Sequence, residues 1–233
     1  MVKRSKLEKF AANLGFPNVF ENFNFQNPSL HQSLHEEVEL KGKWCSNHFK
    51  NDNPLILELA CGRGEYSLGL AAIYPHKNFI GIDIKGARIW KGASTALAHQ
   101  LNNIAFLRTK IELIGHFFEP GEISEIWVTF PDPFPRPSKS NRRLTSSIFL
   151  DHYSKVLKEG AHLHLKTDDP GLYAFSLQTL QSHPNYTVLY HDDDIYSKSL
   201  PYPELEIKTY YEKIHLDLGK KIKYIRASHH TQE

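Results

Sequence analysis

The segment FPDPFPRPSKSNRR, residues 130–143, places one carboxylate, Asp132, between two prolines at the end of an apolar run. Arg136, Lys139, Arg142 and Arg143 then follow without an acid. A carboxylate fixed by its backbone suits a species that is or becomes cationic, whereas a basic stretch suits phosphates. A second stretch, ELACGRGEYS (58–67), follows another apolar run. Its Gly62 and Gly64 allow a sharp turn and a close backbone approach to a ligand, and the helix expected after them points its positive end there. A dinucleotide loop would carry a third glycine where this chain has Ser67. Glu58, just ahead of the loop, would repel a pyrophosphate but accepts hydrogen bonds from an ammonium group, which favours S-adenosylmethionine over NAD. A purely structural turn is the plainer alternative. Asp83, 19 residues past Gly64, ends a third apolar run. It suits two ribose hydroxyls or, more plainly, the N-cap of a helix starting near Gly86.

These residues need elements to hold them. From Pro54 onward, short apolar runs alternate with helical stretches. Strands are expected at 55–60, 78–84, 103–108, 125–130, 161–167 and 186–191, with helices near 66–74, 87–101, 146–157 and 172–180. Such alternation requires crossover connections, hence a doubly wound α/β fold whose sheet is mostly parallel. In such sheets the ligand lies beyond the carboxyl ends of the strands, near the switch in strand order, where Glu58, Asp83, Asp132 and Lys166 to Asp169 all fall. Residues 1–50 show no firm periodicity and are expected to form an arm, partly ordered; its phenylalanines offer a surface for stacking, with a poorly ordered terminus as the plainer alternative. Residues 51–228 form the domain, and 229–233 a charged tail.

With 233 residues, 40% apolar and 23% charged, the chain is sized and composed for one ordinary globular domain. No apolar run approaches a membrane span, and the basic N-terminus has no apolar core behind it, so a cytoplasmic protein is expected. Two cysteines, Cys45 and Cys61, give neither a disulfide framework nor a cysteine-rich metal site. Net charge is only +2, but a second basic group, Lys208, Lys213, Lys220, Lys221, Lys223 and Arg226, crowds the end of the chain. His162 and His164 share a strand face without a third ligand, so no metal is expected. Tyr210 and Tyr211 read equally as core or as RNA contacts.

Taken together, ELACGRGEY, FIGIDI, FPDP with its basic RR pair, LKTD and TYYEKIHLDLGKKIKY resemble the tRNA (guanine-N7)-methyltransferase family, over about residues 44–226. The resemblance implies a Rossmann-like class I methyltransferase fold, S-adenosylmethionine as methyl donor, and transfer to N7 of a guanosine in the tRNA variable loop. It carries Glu58, Asp83 and Asp132 onto cofactor positions beside Gly62 and Gly64. Asp132 is also the catalytic candidate, and Arg136, Asp168, Thr209 and Glu212 fall on substrate positions. Arg136, Lys139, Arg142 and Arg143 are the expected phosphate contacts. The chain departs from the family at Arg136, where a lysine is usual, and at Lys110, where an acid often stands near the adenine, leaving Glu112 or backbone groups for that contact. No membrane, metal or partner subunit is implied, and a monomer or homodimer fits.

The chemistry agrees with the resemblance. N7 of guanine has a lone pair and no proton, so its methylation needs no general base, while the product ring is cationic. Alignment of donor and acceptor and negative charge near the base would carry catalysis, and carboxylates accept from guanine N1–H and its exocyclic amine. Two competing readings are a noncatalytic tRNA-binding module on the same fold and an NAD-linked oxidoreductase, the latter disfavoured by Glu58 and Ser67.

Overall fold

Leu55, Ile56, Leu57, Glu58 and Leu59 are all buried, as a strand covered on both faces must be; the expected strand at 78–84 is likewise buried over Asn78–Asp83, whereas the one at 186–191 alternates exposed residues with buried or half-buried ones. The computed structural model describes residues 5–231, which divide into two compact units between Glu119 and Pro120.

The first unit opens with helix α1 (Lys6–Asn13), whose capping box is closed: Glu8 N–H donates to Ser5 Oγ at 3.3 Å and Ser5 N–H to Glu8 Oε2 at 2.6 Å. Strands β1 (Val19–Glu21), β2 (His31–Ser33) and β3 (Glu36–Glu37) lead to a π-type turn at Trp44–Phe49. The alternating series follows: β4 (Leu55–Leu59), α2 (Glu65–Ile73), β5 (Asn78–Asp83), α3 (Gly86–Ala98), β6 (Ile104–Arg108) and a 3-10 segment at Ile111–His116. The sheet order in this unit is β3-β2-β1-β6-β5-β4. Strands β4, β5, β6 and β1 are mutually parallel neighbours, and only the β1–β2–β3 edge is antiparallel.

The described part of the expected arm is therefore built into this unit. Strand β1 pairs with β6, placing Glu21 opposite Arg108 with an ion pair of 2.8 Å. Asn13 donates to the Gly86 carbonyl at 2.9 Å. Trp44 is fully buried, stacks on Phe118 at 5.6 Å and donates to the Phe117 carbonyl at 2.8 Å. Of the phenylalanines expected to stack on RNA, Phe20 is buried against Trp44 and Phe23 is half-exposed beside His31.

The second unit contains β7 (Ile123–Thr129), a 3-10 segment at Pro137–Arg142, α4 (Ser147–Ser154), β8 (Leu157–Thr167), α5 (Pro170–Ser182), β9 (Tyr186–Asp192), α6 (Tyr210–Asp217) and β10 (Lys223–His229). Its strand order is β7-β8-β10-β9; β7 and β8 are parallel, and β10 runs antiparallel to both its neighbours. Lys223 and Arg226 disguise β10 in the sequence, yet it lies between two strands, with Lys223 and His229 both buried. His229, assigned to a tail from the sequence, is the last residue of that strand: its Nδ1 meets the Lys158 carbonyl at 3.1 Å and its ring packs on Tyr186. Residues 232 and 233 lie outside the described residues.

His164 stacks flat on Trp127, with ring centres 3.9 Å apart, and its Nδ1 bonds the Tyr224 hydroxyl at 2.7 Å, so it is a core aromatic. Among the described residues no group of three or more His, Cys, Asp or Glu could hold a metal ion, and no helix is long and apolar enough to cross a membrane.

Candidate functional site

In the first unit the candidate site is the turn between β4 and α2. Three of its residues adopt left-handed backbone, Ala60 (φ 56°), Gly62 (φ 58°) and Gly64 (φ 65°). At Gly64 a side chain is excluded twice, by φ and by the Phe106 ring, which a Cβ would meet at 2.4 Å. Gly62 differs, since a Cβ there would have nothing within 4 Å. Its backbone borders open space, as a close approach to a ligand requires.

Two carboxylates flank this turn, each oriented by backbone. Asp83, buried at the end of β5, accepts from Gly62 N–H at 2.9 Å through Oδ2 and from Lys85 N–H at 2.7 Å through Oδ1. It does not cap α3, whose N-cap is Lys85. Each Asp83 oxygen keeps a further acceptor lone pair, which fits a ribose diol. Glu58, also buried, accepts from Ser67 N–H at 2.9 Å and from the Ser67 hydroxyl at the same oxygen. The residue standing in place of a third glycine thus orients the acid that distinguishes this loop from a dinucleotide loop. Burial, then the charges of Glu58 and Asp83, push the Cys61 thiol well above its ordinary pKa, so it is no nucleophile. Lys110 and Glu112 are both exposed, with the Lys110 ammonium 4.8 Å from the Phe25 ring.

In the second unit the polypeptide leaves β7 through Phe130-Pro-Asp-Pro-Phe134. Phe130 (φ 48°) and Phe134 (φ 42°) are both left-handed, a strain of order 1–3 kcal/mol each that persists only where surroundings impose it. Phe130 is held by its N–H on the Lys166 carbonyl at 2.8 Å. Phe134 is held by Arg143, which donates to the Pro133 and Phe134 carbonyls at 3.0 and 3.1 Å while lying 4.4 Å from the Phe175 ring. Arg143 is 9% exposed. It was expected on phosphate, but its position makes it the staple of the loop. Asp132, between the two strained residues, is exposed and takes no hydrogen bond or ion pair from any described residue. Arg136, Lys139 and Arg142 are exposed and have no acidic partner among the described residues.

The LKTD and T-x-x-E stretches meet through a buried ion pair. Lys166 Nζ lies 2.7 Å from Glu212 Oε1, both side chains fully buried, and also donates to the Leu205 and Ile207 carbonyls at 3.1 and 3.0 Å. Tyr196 adds its hydroxyl to Glu212 Oε1 at 2.7 Å. Burial lowers the Lys166 pKa from its ordinary value, against the opposing pull of Glu212. Thr209 caps α6, accepting from Glu212 N–H at 3.2 Å. Glu212, expected at the substrate, is thus inside the second unit, tied to Lys166. Asp168 is half-buried, with Lys220 at 2.6 Å and His215 at 3.4 Å.

Residues 52–225 match a sequence family described as "Putative methyltransferase". A protein of Christiangramia forsetii named tRNA (guanine-N(7)-)-methyltransferase is 46% identical over 97% of this chain and 98% of its own. The chain belongs to the tRNA (guanine-N7)-methyltransferase family. Relatives of the same name from Bacteroides fragilis (45% identical, 96% of this chain and 85% of theirs) and Porphyromonas gingivalis (47%, 90% and 84%) agree. The 16S rRNA methyltransferase KamB, with TM-score 0.62 over 84% of this chain and 97% of its own at 13% identity, shares the fold of this methyltransferase, a mixed α/β architecture with a mostly parallel sheet. Sequence reasoning missed the roles of Lys166 and Arg143. The signal for Lys166 was available: a lysine in a strand expected to be covered on both faces needs a buried counter-charge.

Proposed function

We propose that this enzyme transfers a methyl group from S-adenosylmethionine to N7 of a variable-loop guanosine in tRNA. The observation that carries the reading is Asp132: a solvent-facing carboxylate without a partner among the described residues, fixed between two strained phenylalanines just past β7. A folded protein keeps such an arrangement for a ligand.

Bound at the Gly62–Gly64 turn, S-adenosylmethionine would supply an electrophilic methyl on a sulfonium. Asp83 would hold the ribose hydroxyls, Glu58 the ammonium end through its network, and Gly62 would give room for close backbone approach. No residue need remove a proton, since N7 carries none. Asp132 would stabilise the positive charge that develops on the guanine ring, an effect strongest when the charge is preorganised. Asp168 would accept from the Watson–Crick edge, and the Thr209 hydroxyl, already fixed as a helix cap, would donate to the base. Glu212 would act through α6 and not on the base. Arg136, Lys139 and Arg142 would hold the phosphates. The family match over 52–225 supports that stretch as the part of the chain that carries the reaction.

The direct test incubates the purified protein with unmodified tRNA and labelled S-adenosylmethionine, followed by nuclease digestion and mass spectrometry. The expected product is N7-methylguanosine at one variable-loop position. Label on another nucleotide, or none with tRNA bound, overturns the proposal.

A further inference from the structure

The six residues Lys208-Thr-Tyr-Tyr-Glu-Lys213 sort by side. Thr209 and Glu212, three apart, turn inward. Lys208, Tyr210, Tyr211 and Lys213 are all exposed, the two tyrosines at 51% each. Isolated exposed aromatics are ordinary, but here two adjacent ones are bracketed by cations. The rings meet edge to face, centroids 5.6 Å apart and planes at 74°. Neither lysine has an acidic partner among the described residues, although Lys220 and Lys221 nearby are paired with Asp168 and Asp194. Lys208 lies over the Tyr196 ring at 4.9 Å, which leaves its charge without an anionic partner. Exposed aromatic faces beside such cations are the composition that binds unpaired nucleic acid: rings stack on bases of any identity while cations follow the phosphates.

We propose that Tyr210 and Tyr211 form a stacking platform for unpaired tRNA bases beside the methylated guanosine, with Lys208 and Lys213 on the adjoining phosphates. This rests on the tRNA reading above and goes beyond it. The tyrosines follow Thr209 directly, so the platform adjoins a residue assigned to the target base. A variable-loop guanosine taken out of its stack leaves its neighbours without a partner face, at a cost of a few kcal/mol. An aromatic surface at that place offsets part of the loss. Because stacking does not read hydrogen-bond patterns, the platform tolerates any neighbouring base.

The test measures the dissociation constant for an unmodified tRNA transcript with Tyr210→Ala, Tyr211→Ala, Tyr→Phe and Tyr→Leu variants at both positions, and S-adenosylmethionine affinity of the same proteins by calorimetry. Each alanine should weaken tRNA roughly 5- to 150-fold, the span for one lost stack. Phenylalanine should bind near wild type, and leucine, which keeps apolar bulk but no ring face, should fall toward alanine. Cofactor affinity should stay constant, showing an intact fold. The dependence on salt should not change in the tyrosine variants but should lessen in Lys208→Ala and Lys213→Ala. Alanine variants that bind tRNA like wild type overturn the platform alone, as do phenylalanine variants that lose as much as alanine, since a hydroxyl contact would then replace stacking. A wild-type protein that neither binds nor methylates tRNA removes the functional reading and the platform together.

Discussion

At the scale of single residues, the carboxylate proposed to face the base lies between the two strained residues of Phe130-Pro-Asp-Pro-Phe134. The sequence made Asp132 legible as a candidate because two prolines limit the residues before them, but it could not reveal left-handed phenylalanines, which are outcomes of tertiary restraint. The same holds for Arg143. In the sequence it is one cation among four, and only its contacts with two carbonyls and the Phe175 ring separate it from Arg142. Glu58 was legible as an acid before the loop, while its partner Ser67 was noticed only as a missing glycine. If Asp132 stabilises a cationic transition state, Asp132→Ala should lower methyl transfer roughly 10²–10³-fold, the range for one preorganised electrostatic group, and leave tRNA affinity almost unchanged. Single-turnover transfer at saturating tRNA, with a separate binding titration, checks both halves; wild-type turnover removes Asp132 from the mechanism.

At the scale of elements, the pattern Ser/Thr-x-x-Glu occurs at Ser5–Glu8 and Thr209–Glu212, with different outcomes. On α1 the glutamate returns to the cap and closes the box. On α6 a buried lysine takes its carboxylate, and that competition depends on β8, far away in sequence. The first was legible from local chemistry and passed over; in the second, only the need of Lys166 for a counter-charge was legible, not which acid supplies it. Glu212→Ala should cost about 3–5 kcal/mol, because it leaves the Lys166 ammonium buried without its counter-charge. Adding Lys166→Met to Glu212→Leu should recover much of that loss, since apolar replacement of a buried pair is often neutral. Urea unfolding reads the stability, and methyl transfer by the double variant separates two roles. Activity that returns with stability marks Glu212 as a positioning residue; stability without activity places it on the base. The π-type turn gives a pH signature of its own. Burial, with a smaller push from Lys50, lowers His48 from 6.5 to about 4, where its ring packs edge-on against Phe20 and Phe49. Between those values the unfolded chain binds a proton that the folded chain does not. Stability should therefore be full above about pH 6.5 and fall as pH drops toward 4. His48→Phe should flatten that part of the profile in thermal unfolding scans, and an unchanged slope would assign the acid sensitivity elsewhere.

At the scale of the whole molecule, a net charge of +2 suggests weak attraction to a polyanion, but net charge is the wrong quantity. Binding to RNA depends on cations that can exchange counterions for phosphates, and ion pairing within the protein removes some from that pool. Of the late basic residues, Lys220 and Lys221 are spent on Asp168 and Asp194, Lys223 is buried, and Arg226 lies over Tyr202 beside His162. Of the loop cations, Arg143 is spent on carbonyls. Of the loop cations and the late basic residues, Arg136, Lys139, Arg142, Lys208 and Lys213 remain exposed without acidic partners among the described residues, Lys208 lying over the Tyr196 ring. If these make the phosphate contacts, the logarithm of tRNA affinity should fall with the logarithm of salt concentration at a slope of about 3.5 to 4.5, from 0.7 to 0.9 for each cation. Arg142→Ala should lower the slope by about 0.7 to 0.9 and weaken binding. Arg143→Ala should leave the slope alone and reduce methyl transfer, because it frees the Asp132 loop without removing a phosphate contact. A salt titration of tRNA binding with the three proteins decides the matter. Equal loss of slope in both variants would return Arg143 to the RNA surface, whereas no loss in either would mean that the loop is a solvated face and that the phosphates are held elsewhere.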